Sequence, residues 1–481
     1  MKNNKLIYSL LLSFGLIVAT SCDETFEEIN TSKNSPTAVS SDVLLTAALN
    51  DQFNNFGGFG TGYIGVFTQH FAGNHAFGVD MDQYNLDNGS WNGQWTGYYR
   101  GPMRDLIEIM NVGAENEDWH YVGVAKIMMA FALGTLTDMY GDIPWSQAFN
   151  IDEYLTQTYD SQESIYNEIQ RLLTEAVSDL GKTTNLPLQG DFVHGNSTSN
   201  WIATAHLLSA RYHNHLSKRD PSGSATRALA AVDAAKAAGL TSANDFRMKY
   251  EGTAQHRNPW YAMWENNQVI AAENFMLELQ NTNDPRLEAY WDDDRFPVGS
   301  DPVGFVGKQN GFGITNLSFS PIGPDTFYGK LDSDHFLATY FELLFIEAEA
   351  AFRSGDMARA ATAHNSAVQE QIGIVVADAA DPRIAPYIAT YASETAGTIT
   401  LEKIMTEKYK AMFTMEIESW VDIRRHDFAF PNTLIIPTRS DGSQVATEYI
   451  CRVLYPQDEL NNNAANVPSG LTIFSKSWLF Q

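Results

Sequence analysis

The sequence predicts a mainly α-helical chain, with paired helices stacked on one side and loop-rich segments on the other. Three observations carry this. Apolar residues recur at helical spacing through most long segments; Ile165, Ile169, Leu172, Ala176 and Leu180 share one face. Two stretches, AHLLSARYHNHLSKRDPSGSATRALAAVDAAKAAG and FIEAEAAFRSGDMARAATAHNSAV, read as helix–turn–helix with small residues where two helices meet. Residues 53–101 and 241–336 break the pattern with Gly, Pro, Asn, Asp and aromatics. Hydrophobic residues make up 44% of the 481, ample material for a core.

The chain opens with Lys2 and Lys5, an apolar run from Leu6 to Val18, and the small residues Ala19, Thr20 and Ser21 before Cys22. A basic end, an apolar run and a small-residue cleavage site predict a signal peptide over residues 1–21. The run is shorter than the ~20 residues a membrane span needs. A cysteine directly after the small residues resembles a bacterial lipobox. Cys22 would then carry a diacylglyceryl thioether, and an N-acyl chain once cleavage frees its amino group. The plain alternative is an ordinary thiol near a cleavage site. Lipidation removes such an exposed thiol, and each buried lipid methylene adds ~0.8 kcal/mol of membrane binding. Asp23, Glu24, Glu27 and Glu28 follow as an acidic tether. It resembles the export signal that sends lipoproteins to the outer face of the outer membrane in Bacteroidetes-type bacteria. Residues 22–41, which include Pro36, read as the lipidated start and linker, and 42–481 as one domain.

The formal charge is −27; removing residues 1–21, with two lysines and no acids, takes it to −29. This excludes nucleic acid, which needs clustered Lys and Arg, and adhesion to anionic headgroups. Membrane contact is through the lipid alone. Of the two cysteines, Cys451 lies in the alternating stretch TEYICRVLY and reads as a small buried hydrophobe.

Helices follow in order. Leu44, Leu45, Ala48, Leu49 and Phe53 predict one from Asp42, with Ser40 or Ser41 as cap. Others are predicted at Pro102–Val112 and at Tyr121–Tyr140, stopped by Gly141 and Pro144. SIYNEIQRLLTEAVSDL is capped by Ser161 or Ser164 and ended by Gly181. Trp201–Leu216, Ala225–Ala238, Phe336–Arg353, Met357–Gly373 and Leu401–Arg425 complete the set. Residues 74–101, 241–336 and the C-terminal segment are predicted irregular.

Ala350, Gly355, Ala360 and Ala367 fall where a tetratricopeptide repeat places small residues, although the consensus aromatics are missing. An antiparallel bundle is the alternative. LTDMYGDIPWSQAF, YDSQESIYNEI, NDPRLEAYW, FIEAEAAFRSGD, EIESWVDIRRHDF and RVLYPQDELNNNAANV occur in that order. With the lipobox, this set resembles the SusD/RagB family of nutrient-binding outer-membrane lipoproteins, nearer its SusD-like relatives than its starch-binding founder. The resemblance implies tetratricopeptide-like pairs in a right-handed superhelical scaffold and an irregular ligand-binding half. It also implies a partner, a SusC-like TonB-dependent transporter capped by the lipoprotein as a lid, and no cofactor. Within EIESWVDIRR, Glu416 or Glu418 is expected to pair with Arg424 or Arg425, with Trp420 packed inward. YPQDELNNN is expected to dock on that helix.

Chemistry-bearing groups are sparse. His206, His213 and His215 lack HExxH spacing. Asp80 with Asp82, Asp292 to Asp294, and Asp332 with Asp334 do not continue into an EF-hand loop. Neither a Gly-rich phosphate loop nor GxSxG occurs. A glycosidase carboxylate pair needs only ~5–9.5 Å of spatial separation, so sequence leaves a surface glycosidase open. The leading expectation is a receptor for an oligosaccharide, with peptide as rival ligand, and a pure scaffold as a third reading. Sugar rings stack apolar faces on aromatics while Asn, Asp and Gln hold hydroxyls. Trp201 and Trp420 lie among apolar residues and read as core. Trp91, Trp95, Trp260 and Trp291 sit in polar, loop-rich sequence and are the predicted ligand contacts.

Overall fold

A computed structural model describes residues 39–57, 59–293 and 304–481. The signal peptide, Cys22 and the acidic tether lie outside the described residues, as do Asp294 and Phe296. Helix takes up about half of the described residues.

Helix α1 (Ser41–Phe56) buries Leu45, Ala48, Leu49 and Phe53, the face its spacing predicted. Helix α2 (Pro102–Glu115) starts on a proline, where the missing N–H costs nothing. Helix α3 (Trp119–Tyr140) is the centre of the core. It is long and apolar enough to cross a membrane, but 94% of its most apolar window is buried inside the fold. Neighbouring helices press close to it. A Cβ on Gly134 would lie 2.2 Å from the Tyr212 hydroxyl, so only glycine fits there. Gly141, at φ 87°, ends α3 in a conformation that glycine adopts without strain.

Helix α4 (Gln162–Leu180) is capped by Ser161, whose side chain accepts from the Ser164 N–H. Helix α5 (Thr198–His215) is capped by Ser197 and helix α6 (Pro221–Ala237) by Asp220. Helix α7 (Tyr340–Ser354) begins with a Thr339–Glu342 capping box and ends at Gly355. Helix α8 (Met357–Val375) is capped by Asp356. From α2 to α8 each helix packs on the next, including α6 on α7 across the long intervening loop region. Stacked neighbours thereby bury a continuous core.

Several expectations change. Phe336–Ala338 belongs to a strand, because the capping box sets the helix start at Tyr340. Strand β1 (Phe71–Gly73) pairs antiparallel with β3 (Val269–Ala271), and β2 (Phe246–Met248) with β4 (His335–Ala338). The predicted Leu401–Arg425 helix is two, α9 (Leu401–Ala411) and α10 (Glu416–Arg425). Thr414 breaks them at φ 75°, and its N–H donates to Glu416. The regions predicted irregular contain short helices, among them Ala76–Asp82, Asn92–Arg100, Pro259–Asn266 and Glu273–Asn281.

Helix α10 is held chiefly by ion pairs from other elements; along its own face Arg425 pairs with Asp422 at 2.7 Å, and neither Glu416 nor Glu418 pairs with Arg424 or Arg425. Glu418 meets Arg211 at 3.4 Å and His215 at 2.8 Å, and Glu416 meets His70 at 2.8 Å. Arg425 binds Glu349 bidentately, and Arg424 donates to the carbonyls of Asp138 and Cys451. These groups are buried, so removing one partner costs ~3–5 kcal/mol, well above an exposed pair. Trp420 and Trp201 are fully buried, and Cys451 is a buried free thiol.

Candidate functional site

The four tryptophans predicted to meet ligand do not share one environment. Trp260 is fully buried and stacks on Phe71 at 5.5 Å with an 8° interplanar angle. Trp291 is 1% exposed, edge-on to Phe71 and Phe413. Trp91 is 3% exposed and packs near Phe67. The polar neighbours of these three suggested exposed faces, but the loops fold their rings into the core. That expectation is corrected for Trp91, Trp260 and Trp291. Trp95, at 6% exposed, lines an open cleft of about 470 Å³.

Three segments far apart in sequence build this cleft. The helix Asn92–Arg100 carries Trp95 and Tyr99 four residues apart, hence on one face. Their ring centroids are 4.9 Å apart. The Tyr99 hydroxyl donates to the Pro144 carbonyl at 2.7 Å, which ties the second segment, 144–157, to the first. Phe149 extends the wall, stacked near Tyr99 at 6.1 Å. Phe149 sits at φ 66°. An aromatic residue in the left-handed region costs ~1–3 kcal/mol, and such strain concentrates at functional sites. Ile151 completes this side, 69% exposed.

The third segment is the helix Gln457–Asn462. It docks on the cleft rather than on α10. The Gln457 N–H donates to the Asn88 carbonyl and the Asn92 side chain. The Tyr159 hydroxyl donates to Glu459 at 2.8 Å, and Asn463 donates to the Gln157 carbonyl at 2.9 Å. Asp458, Glu459 and Asn462 thus face the aromatic wall, with Arg100 and Gln157 at the rim. Burial holds the Tyr99 hydroxyl pKa well above its usual value, helped by the charges of Glu459 and Asp160. Burial likewise raises Tyr159, with Glu459 adding to it. Both phenols stay neutral donors at physiological pH. The arrangement offers an apolar stacking surface opposite hydrogen-bonding groups, as a sugar-binding cleft needs.

Of the residues lining this cleft, sequence reasoning named Trp95 and did not name Tyr99, Arg100, Phe149, Ile151, Asp458, Glu459 or Asn462. One signal was present: Phe149, Ile151 and Leu155 are large apolar residues within an otherwise polar loop.

The histidines read otherwise. Asp138, His215 and Glu418 bring possible metal-ligating atoms within 4.8 Å of one another. Yet Glu418 meets His215 Nε2 at 2.8 Å, while Tyr166 meets Nδ1 at 2.9 Å. Asp138 lies 3.5 Å from Nδ1, so the two carboxylates flank opposite edges of the ring. Arg211 joins the same cluster. Burial pushes the Asp138 carboxyl up to about 6, and Glu418 is held down to about 2 because Arg211 and His215 outweigh its burial. This is a buried ion-pair network linking α3, α5 and α10.

No curated protein matches the sequence. Solved structures do. The chain is similar to a SusD/RagB family protein from Bacteroides thetaiotaomicron (TM-score 0.76, 20% identity, 92% of this chain and 99% of that one). It is similar to a chitin-binding SusD homolog from Flavobacterium johnsoniae (TM-score 0.73, 20% identity, 91% and 98%). A further chitin-binding protein aligns at TM-score 0.73 and 21% identity, over 92% of this chain and all of that one. At these identities the likeness shows the fold. Residues 33–456 match the SusD-like family described as starch-binding and associating with the outer membrane, and the chain belongs to that family.

Proposed function

We propose that this chain is a lipid-anchored receptor on the cell surface that binds an oligosaccharide in the Trp95–Tyr99–Phe149 cleft. It passes the ligand to a SusC-like TonB-dependent outer-membrane transporter, which it covers as a lid. The observation that carries this is the aromatic wall facing Asp458, Glu459 and Asn462 across an open cleft. Family membership and the chitin-binding names of two structural relatives support a glycan ligand. The lipobox-like Cys22 and its acidic tether support the location. On this reading the protein binds and does not turn over its ligand.

Calorimetry of the purified mature protein against a glycan panel tests the reading, with product analysis of the same mixtures. Binding without cleavage is the expected result. Cleavage would make the chain a surface glycosidase. Binding of peptides and of no glycan would replace the glycan with a peptide.

A further inference from the structure

Trp91, Trp260 and Trp291 seal an unpartnered indole N–H inside the core. Trp95 differs. Its N–H also has no hydrogen-bond partner among the described residues, but it is not sealed in, and the residue lines the cleft. The ring itself is more than nine-tenths buried. Tyr99, Tyr140, Tyr159 and Tyr455 surround it at centroid distances of 4.9–6.2 Å. They leave no open face for a sugar to stack on, so Trp95 meets a ligand through its N–H edge. Once the cleft is filled, the ligand supplies an acceptor there or leaves the donor unpaired, which costs a hydrogen bond.

The exposed rim does not choose between ligands. Arg100 and the second amide N–H of Gln157 and of Asn462 offer donors, while Asp458 and the two amide oxygens offer acceptors. Selection falls to the deeper part. There the Trp95 N–H is a donor. Glu459 has one carboxylate oxygen engaged by Tyr159 and Asn463, which leaves the other as an acceptor. Pro144, Ala148 and Phe149 give an apolar lining beside them.

An acetamido group on a sugar ring answers all three features. Its carbonyl oxygen accepts from the Trp95 N–H, its own N–H donates to Glu459, and its methyl packs on the apolar lining. The carbonyl oxygen stands on an arm away from the ring, so it reaches a recessed donor better than a ring hydroxyl does. A protonated amine would turn N–H groups toward the Trp95 N–H. A uronate or a sulfate would accept from Trp95 but meet repulsion from Asp458 and Glu459. We propose that the cleft selects oligosaccharides whose sugars carry N-acetyl groups, with the Trp95 N–H reading the acetyl carbonyl. This rests on the receptor reading above.

The test uses purified mature protein. Matched oligomers of N-acetylglucosamine, glucosamine and glucose are compared by calorimetry. The acetylated oligomer is expected to bind roughly tenfold tighter than the other two. Trp95→Phe keeps an aromatic ring in the tyrosine cage and removes the N–H. It is expected to keep its fold by circular dichroism and to lose most of the preference. A second measurement needs no variant. In nitrogen-15-labelled protein an indole N–H signal is expected to move downfield on adding the acetylated oligomer and to stay in place with the glucose oligomer. Equal affinity for all three, tighter binding of the free-amine oligomer, a preference unchanged in folded Trp95→Phe, or indole signals unmoved by the acetylated oligomer would each overturn the inference while leaving a glycan receptor. Binding of none of the three would overturn this inference, and failure across the wider glycan panel would overturn the glycan reading itself.

Discussion

A residue's role here depends on what covers it. Trp95 and Trp260 are the same side chain in similarly polar sequence, yet one lines a cleft and the other fills the core. Their substitutions should separate accordingly. Tyr99→Ala, which removes half of the stacking wall beside Trp95, is expected to weaken glycan binding by ~1–3 kcal/mol, the scale known for bases stacked on aromatics. Trp260→Ala is expected to lower unfolding free energy by ~3–5 kcal/mol while any folded fraction binds normally. Denaturant melts and calorimetry on both proteins check the pair of outcomes. Gly134 gives a third case. An added methyl would sit 2.2 Å from the Tyr212 hydroxyl between α3 and α5, so Gly134→Ala is expected to cost ~1–3 kcal/mol in a denaturant melt.

Elements begin and end where side chains satisfy the exposed backbone groups. Helix α7 starts at Tyr340 because the Thr339 hydroxyl accepts from the Glu342 N–H at 3.2 Å. Glu342 is also held by Arg211, so the cap is wired to the network beneath α5. Thr339→Ala is expected to destabilise the protein by about 1–2 kcal/mol in urea, and Thr339→Ser by less, since serine restores the acceptor. The split between α9 and α10 follows the same logic. Glu416 turns back to serve the Thr414 N–H, the Thr68 hydroxyl and His70, and the chain breaks between the two helices to let it.

The whole molecule joins its helices through buried charge, which makes its stability depend on pH from two sides. Glu407 and Glu418 are held down to about 2, Glu407 by Lys410 and Arg286 and Glu418 by Arg211 and His215, against their burial. Their contribution is present above the unfolded carboxylate range and is lost as pH falls toward 2. Asp245 runs the other way. Burial pushes it up to about 8, with Glu370 and Glu342 adding to this and Arg247 and the Tyr340 N–H opposing it. It binds a proton in the folded state that the unfolded chain releases, so its contribution is fully present below about 4 and is lost as pH rises to about 8. Asp245→Asn keeps the acceptor for the Tyr340 N–H and cannot ionise. It is expected to raise stability at pH above 8 by about 1–3 kcal/mol and to flatten the decline between mild acid and that pH, read from urea midpoints. At the same scale, Cys22→Ala is expected to leave the protein unanchored. Palmitate labelling of both forms checks this, and equal labelling would contradict it.

By itself the sequence determined the helical architecture, the faces that meet in each pair, the burial of Trp201, Trp420 and Cys451, and the family. These follow from local periodicity, caps and ordered motifs, which act over a few residues. It did not determine which aromatics line an open cleft. Trp91 and Trp95 lie four residues apart in equally polar sequence, and only Trp95 opens onto space left between 144–157 and 457–462. Nor did it pair Glu418 with Arg211 and His215, or Arg425 with Glu349, because those partners arrive from helices more than seventy residues away. Tertiary structure decided these points. A side chain's exposure is set by what the rest of the chain packs over it, and that packing is long-range.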